Sequence, residues 1–177
     1  MLGEVINLSG PPGAGKTTVA PLLARYDEPS VHINGDSFLM SIRRDLVLPW
    51  LSGSGQQNRT VISAIAGAAS SFARGGYFVV VDALIGPWYL DAFQLPLTQA
   101  HIRVHYAILR PGLTSTLTRF ERTDDARTAN GSIQQMWQAF QDLGSYEKSV
   151  VDPRALNPDD LAALLWRDLN EGKFLLD

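Results

Sequence analysis

Gly10-Pro11-Pro12-Gly13-Ala14-Gly15-Lys16-Thr17-Thr18 follows the apolar run Val5-Ile6-Asn7-Leu8 and opens a stretch of helical periodicity. It matches G-x-x-x-x-G-K-[ST] in the strand-loop-helix setting that gives this match its meaning. Glycines at 10, 13 and 15 let the backbone curl tightly enough to aim successive N–H groups at one centre, which makes an anion nest. Lys16 adds a mobile positive charge for β and γ phosphates. Thr17 offers a hydroxyl to a magnesium ion, and the helix that follows points its positive end at the same phosphates. Binding of a nucleoside triphosphate with Mg2+ is therefore the expectation against which the other residues are read.

Working outward, the 177 residues are 45% hydrophobic, enough for one well-buried core and short for two, so a single domain over 1–177 is expected. The net charge is −3, with no polybasic run that could track a phosphodiester backbone, which argues against a nucleic-acid partner. Cysteine is absent, excluding disulfides and thiolate metal sites. Ser70, Ser71 and Arg74 break the longest apolar candidate around 61–73, so no membrane span is expected. The chain enters its first strand almost at once, leaving no room for a signal peptide, and a cytoplasmic protein is the expectation.

Short apolar runs alternate with helical periodicity, the pattern of a parallel sheet covered on both faces. Strands are expected near 4–9, 30–34, 77–82, 102–109 and 149–151. Val61, Ile62, Ile65, Ala68, Ala69 and Phe72 recur at helical spacing, as do Leu113, Leu117 and Phe120, and then Ile133, Met136, Trp137, Phe140 and Leu143; each stripe is expected to face a core. In the last helix Asn157 is placed to cap, Pro158 suits the first turn, and Leu161, Leu164, Leu165 and Leu169 form the buried stripe, with a stop near Gly172. Gly75-Gly76 ends the long middle helix. The irregular stretches 45–55 and 123–131 sit where moving loops are expected.

Ligands collect at the carboxyl ends of parallel strands, where Asp36, Asp82 and Asp152 fall. Asp36 is the candidate general base for a substrate hydroxyl, or else the cap of a helix over Ser37-Phe38-Leu39. Asp82, ending an all-apolar strand, is the candidate magnesium-side carboxylate, and the two could exchange roles. Arg119, Arg122 and Arg127 could bridge phosphate oxygens during transfer, or form surface ion pairs with Glu121, Asp124 and Asp125. Arg43, Arg44 and Arg59 flank the first irregular stretch and could bind an anionic acceptor, with Arg59 best placed. Trp50 and Trp88 could wall a pocket or fill a core. His32, His101 and His105 do not form a metal cluster and are read as structural.

The phosphate loop, Asn34-Gly35-Asp36-Ser37-Phe38, the strand ending in Asp82 and the Arg-bearing helix after strand 102–109 stand in the order of the small P-loop kinases. The chain resembles that superfamily, which includes shikimate and gluconate kinases and chloramphenicol phosphotransferase. It looks closest to an uncharacterised bacterial group of ATP-dependent kinases, through its Pro-Trp, Gln-Gln-Asn-Arg at 56–59 and Gly-Tyr-Phe-Val-Val-Val-Asp at 76–82. The resemblance implies a three-layer α/β P-loop NTPase fold with a five-stranded parallel sheet in the order 2-3-1-4-5. It also implies ATP and Mg2+ as cofactors, an acceptor-side region at about 36–60 and an arginine-bearing lid at about 119–137. By similarity Asp36 is the base. Arg119 resembles the lid-helix arginine that lies against adenine, and the segment from Asp152 and Pro153 to Asn157 sits where the base is sandwiched on its other side. The implied activity is transfer of the γ-phosphate to a hydroxyl of a small molecule. The competing expectation is an adenine-nucleotide switch or ATPase with no such acceptor.

Overall fold

The computed structural model describes residues 2–120, 130–154 and 156–176. Five parallel strands, β1 (Val5–Ser9), β2 (Ser30–Asn34), β3 (Phe78–Asp82), β4 (Val104–Leu109) and β5 (Val150–Val151), form one sheet in the order β2-β3-β1-β4-β5. Val5 sits opposite both Val79 and Val104, Val31 opposite Val79, and Ile108 opposite Val150. The central strands are apolar along nearly their whole length because both faces of the sheet are covered. Successive side chains of a strand point to opposite faces. Val79 and Val81 accordingly join one core cluster while Phe78 and Val80 join the other.

The first cluster packs the sheet against α3 (Gly55–Arg74) and α4 (Leu90–Gln99), through Ile62, Ile65, Phe93 and Leu97. The second packs it against α1 (Lys16–Leu23) and α7 (Pro158–Asn170), through Val19, Leu23, Leu161, Leu165 and Leu169. Shorter helices α2 (Gly35–Leu39), α5 (Leu113–Phe120) and α6 (Asn130–Ala139) stand near the carboxyl ends of the strands. This is the three-layer fold and strand order that the resemblance implies.

Capping matches the local chemistry. Asn157 Oδ1 accepts from the Asp160 N–H at 2.9 Å, Pro158 occupies the first turn, and Gly172 turns the chain with φ +76° just past the helix. Two features depart from expectation. Phe72 is 41% exposed, resting edge-on against Tyr77, because the buried stripe of α3 runs through Ile62, Ile65, Ala66, Ala69 and Ala73. Helix α4 was not foreseen: Pro96 lies inside it, yet Leu90, Phe93 and Leu97 at helical spacing bury its inner face. Among the described residues no helix is long and apolar enough to cross a membrane.

Candidate active site

The phosphate loop leaves β1 at Gly10, whose φ of +133° and contact with the Leu109 carbonyl leave no room for a β-carbon. Gly15, at φ +94°, starts α1, and its carbonyl accepts from the Thr18 and Val19 N–H groups at 3.2 Å. Within this loop the Lys16 ammonium donates to the carbonyls of Gly10 (2.9 Å) and Pro11 (3.1 Å). Burial pulls its pKa below the usual lysine range, while the charges of Asp82 and Asp36 oppose that shift. Both carboxylates therefore act on the same ammonium from across the site.

Asp36 lies in the first turn of α2 and lines the cavity beside the loop. The cap of α2 is made by Asn34, whose Oδ1 accepts from the Ser37 N–H at 3.1 Å. The capping alternative for Asp36 is thus corrected: the better-placed amide of Asn34, two residues earlier, already does that work. Asp82 ends β3, is 4% exposed and lines the same cavity, and its Oδ2 has no hydrogen-bond partner among the described residues.

The cavity has a volume of about 550 Å³. It runs from Gly13, Lys16 and Thr17 past Asp36 into a chamber walled by Leu48, Pro49 and Trp50, by Ile62 and Ile65 of α3, and by Met136 and Phe140 at α6 and just beyond it. Trp88, 45% exposed at the rim, packs edge-on against Phe140 at 5.5 Å, so both Trp50 and Trp88 line the chamber. Lys16 is its one cationic lining residue among those described.

The expected arginines are placed elsewhere or lie beyond view. Arg59 bonds Asp91 at 2.8 Å on the exposed face of α3, with its guanidinium 5.6 Å from the centre of the Tyr89 ring. That bond lifts the Arg59 pKa and lowers that of Asp91. Arg43 and Arg44 are exposed and line no part of the chamber. Arg119 lies on α5, and Arg122 and Arg127 fall outside the described residues. After β5, Asp152 holds Arg154 through both carboxylate oxygens, at 2.6–3.0 Å, which lowers the Asp152 pKa; Pro153 beside it is buried.

Several contributors escaped sequence reading. Gln57 clips residue 47 with both ends of its amide, accepting from the Val47 N–H at 3.0 Å and donating to the Val47 carbonyl at 2.6 Å. Asn58 donates to the Pro49 carbonyl (2.8 Å) and to Ser54 Oγ (3.1 Å). Together they seat the 47–54 stretch on α3. Behind Ile85, which lines the chamber, the buried Ser9 and Tyr106 hydroxyls both donate to its carbonyl, at 2.7 and 2.6 Å, and burial drives the Tyr106 pKa far up. The sequence trace of the two amides was the Gln-Gln-Asn-Arg run, whose backbone partners Val47 and Pro49 lie ten and nine residues away.

An oxygen donor set suits a hard cation. Thr17 and the buried Asp82 supply such oxygens on one side of the cavity. Asp82 Oδ2 is buried and without a hydrogen-bond partner among the described residues, which leaves an oxygen lone pair to offer such an ion. The residues present therefore fit Mg2+.

Residues 3–113 match the family described as chloramphenicol phosphotransferase-like protein. Similar solved structures include the tunicamycin resistance protein of Deinococcus radiodurans, 20% identical over 99% of each chain with a TM-score of 0.70. The APS kinase of Mycobacterium tuberculosis in complex with AMPPNP and APS is 18% identical over 96% of this chain and 98% of that one, with a TM-score of 0.74. Shikimate kinase of Acinetobacter baumannii in complex with shikimate is 17% identical, with coverage of 97% and 95% and a TM-score of 0.64. At such identities the likeness is one of fold. No curated protein matches the sequence.

Proposed function

Since this chain belongs to the chloramphenicol phosphotransferase-like protein family, we propose that it transfers the γ-phosphate of ATP to a hydroxyl of a small, neutral molecule with an apolar body. One observation carries the reading: a phosphate loop and the carboxylate of Asp36 line a single cavity whose remaining walls are largely apolar. A protein that only switched partners on binding ATP would have no use for such a chamber.

In this reading the loop amides and α1 grip the phosphates, and Lys16 leaves the Gly10 and Pro11 carbonyls to bond the β and γ phosphates. Thr17 and Asp82 would hold Mg2+, which when bound neutralises phosphate charge. Asp36 accepts the proton of the acceptor hydroxyl as its oxygen bonds to the γ-phosphorus and the bond to the β-phosphate oxygen breaks, giving ADP and a phosphate monoester. Arg119, Arg122 and Arg127 are assigned to the nucleotide, Arg119 with Asp152 and Pro153 to the adenine.

The acceptor's character follows from the walls. An anionic acceptor needs a fixed cation to repay its lost hydration, and the described chamber reserves its one lysine for phosphate. Arg43 and Arg59, expected to bind an anionic acceptor, are not among the residues that line the chamber. A neutral alcohol with an aryl or alkyl body suits the tryptophan and leucine walls, in keeping with the chloramphenicol of the family's name.

ADP release should be measured across chloramphenicol, simple aryl alcohols, shikimate and gluconate. The neutral aryl alcohols should stimulate turnover and the two carboxylates should not. Lys16→Ala and Asp36→Ala should each lower kcat/KM by about 10²–10⁴. Wild-type rates in both variants would contradict the mechanism.

A further inference from the structure

His32 faces Asp82 and has no part in the chemistry described so far. It lies on β2 opposite Val80 of β3, two residues before Asn34, which lies opposite Asp82. Val31 and Ile33 belong to the core beneath α3 and α4, so strand alternation turns His32 to the other face of the sheet, where the phosphate loop and α1 lie. There its Nε2 stands 3.9 Å from Asp82 Oδ2. Both atoms are buried, and neither has a hydrogen-bond partner among the described residues.

A charge-assisted N–H to carboxylate bond runs at about 2.7–2.9 Å, so the pair stops roughly an ångström short of one. Buried donors and acceptors without partners are rare because each has lost its water and gained nothing in return. When two such groups face each other, a small rotation of either side chain satisfies both. A carboxylate that serves a metal needs a fixed orientation, and the groups that hydrogen-bond such ligands set metal affinity.

We propose that His32 is a positioning residue for Asp82: in the nucleotide-loaded site its Nε2–H donates to Asp82 Oδ2 and so fixes the carboxylate for magnesium. The inference rests on the reading of Asp82 as the magnesium-side carboxylate. His32 acts through Asp82 and touches neither phosphate nor acceptor. Its effect should therefore fall on the metal dependence of nucleotide binding and spare binding of nucleotide alone.

The test is calorimetric titration of ATP, without metal and across a range of MgCl2, into wild type, His32→Phe and His32→Gln. Phenylalanine keeps the ring volume and loses the donor, whereas glutamine keeps a donor. In His32→Phe the metal-free ATP affinity should stay within about twofold of wild type, while the Mg2+ concentration for half-maximal enhancement should rise about 10–100-fold. His32→Gln should restore most of that loss. His32→Leu replaces the phenylalanine variant should the latter not fold. Unchanged Mg2+ dependence in His32→Phe, or equal loss in the phenylalanine and glutamine variants, overturns the role. Failure of the wild type to bind ATP overturns the kinase reading and this inference with it, whereas intact ATP binding with unaltered metal dependence in the variants overturns this inference alone.

Discussion

Gly10 shows how much of the site rests on single atoms that are not there. Its φ of +133° lies where side-chain-bearing residues are strained, and a β-carbon would run into the Leu109 carbonyl. Gly10→Ala should therefore lower stability by about 2–4 kcal/mol through backbone strain and displacement of β4, read as a fall in the midpoint of chemical denaturation. It should also weaken ATP binding, since the loop amides lose their common aim. Residues of this kind were legible in the sequence because their chemistry is local: Lys16, Thr17 and the glycines act within one loop. Asp36 and Asp82 were legible from position alone, as polar residues at strand ends. His32 was not, since its meaning depends on Asp82, which lies beside it only once β2 pairs with β3. The surroundings of the acceptor-side arginines were hidden for the same reason. Arg59 has a cation's chemistry, but Asp91, thirty-two residues away, claims it.

Among the elements, the stretch between α2 and α3 has the irregular backbone that its Pro, Gly and Ser content implies, yet it is tied down. Gln57 satisfies both backbone groups of Val47, Asn58 holds Pro49, and Ser54 Oγ donates to the Pro49 carbonyl at 2.8 Å. The wall formed by Leu48, Pro49 and Trp50 is thus set by the first turn of α3. Gln57→Ala should loosen that wall without touching the phosphate loop. Steady-state kinetics with the best aryl alcohol should show an acceptor KM raised about tenfold, equivalent to about 1.4 kcal/mol of positioning, with the ATP KM within about twofold of wild type. An equal rise in both constants would mean that α3 supports the whole site and has no special hold on the acceptor wall. Amide clamps of this sort leave no periodic signal, which is why composition pointed only to a loop. Helix α4 was obscured differently: Pro96 interrupts a sound apolar period, and burial of Leu90, Phe93 and Leu97 outweighs the lost backbone bond.

Across the whole molecule, the parallel sheet separates chemistry from anchorage. The carboxyl ends of the strands carry the phosphate loop, Asp36 and Asp82, while the amino ends of β1 and β4 carry a polar cluster that holds the two central strands together. There Arg103 donates to Glu4 Oε1 at 2.6 Å, and His105 Nε2–H donates to Glu4 Oε2 at 2.8 Å. His105 is fully buried, and burial drives its pKa below the ordinary value of 6.5, against the pull of the Glu4 hydrogen bond and charge. In the unfolded chain the imidazole takes up a proton as the pH falls through 6.5, whereas in the fold it resists until the pH is lower. The unfolded state therefore binds more protons over that interval, and the stability from neutral His105 is complete above 6.5 and is lost as the pH drops toward the folded-state value. His105→Gln keeps a donor for Glu4 and removes the titration. Between about pH 7.5 and 5.5 the wild-type melting temperature should fall further than that of this variant. Metal-free ATP affinity at pH 7.5 should be the same in both proteins, because the cluster lies at the opposite end of the strands from the phosphate loop. Parallel pH slopes of melting temperature would remove His105 as the source of acid sensitivity, and a change in ATP affinity would show that the two ends of the sheet are coupled.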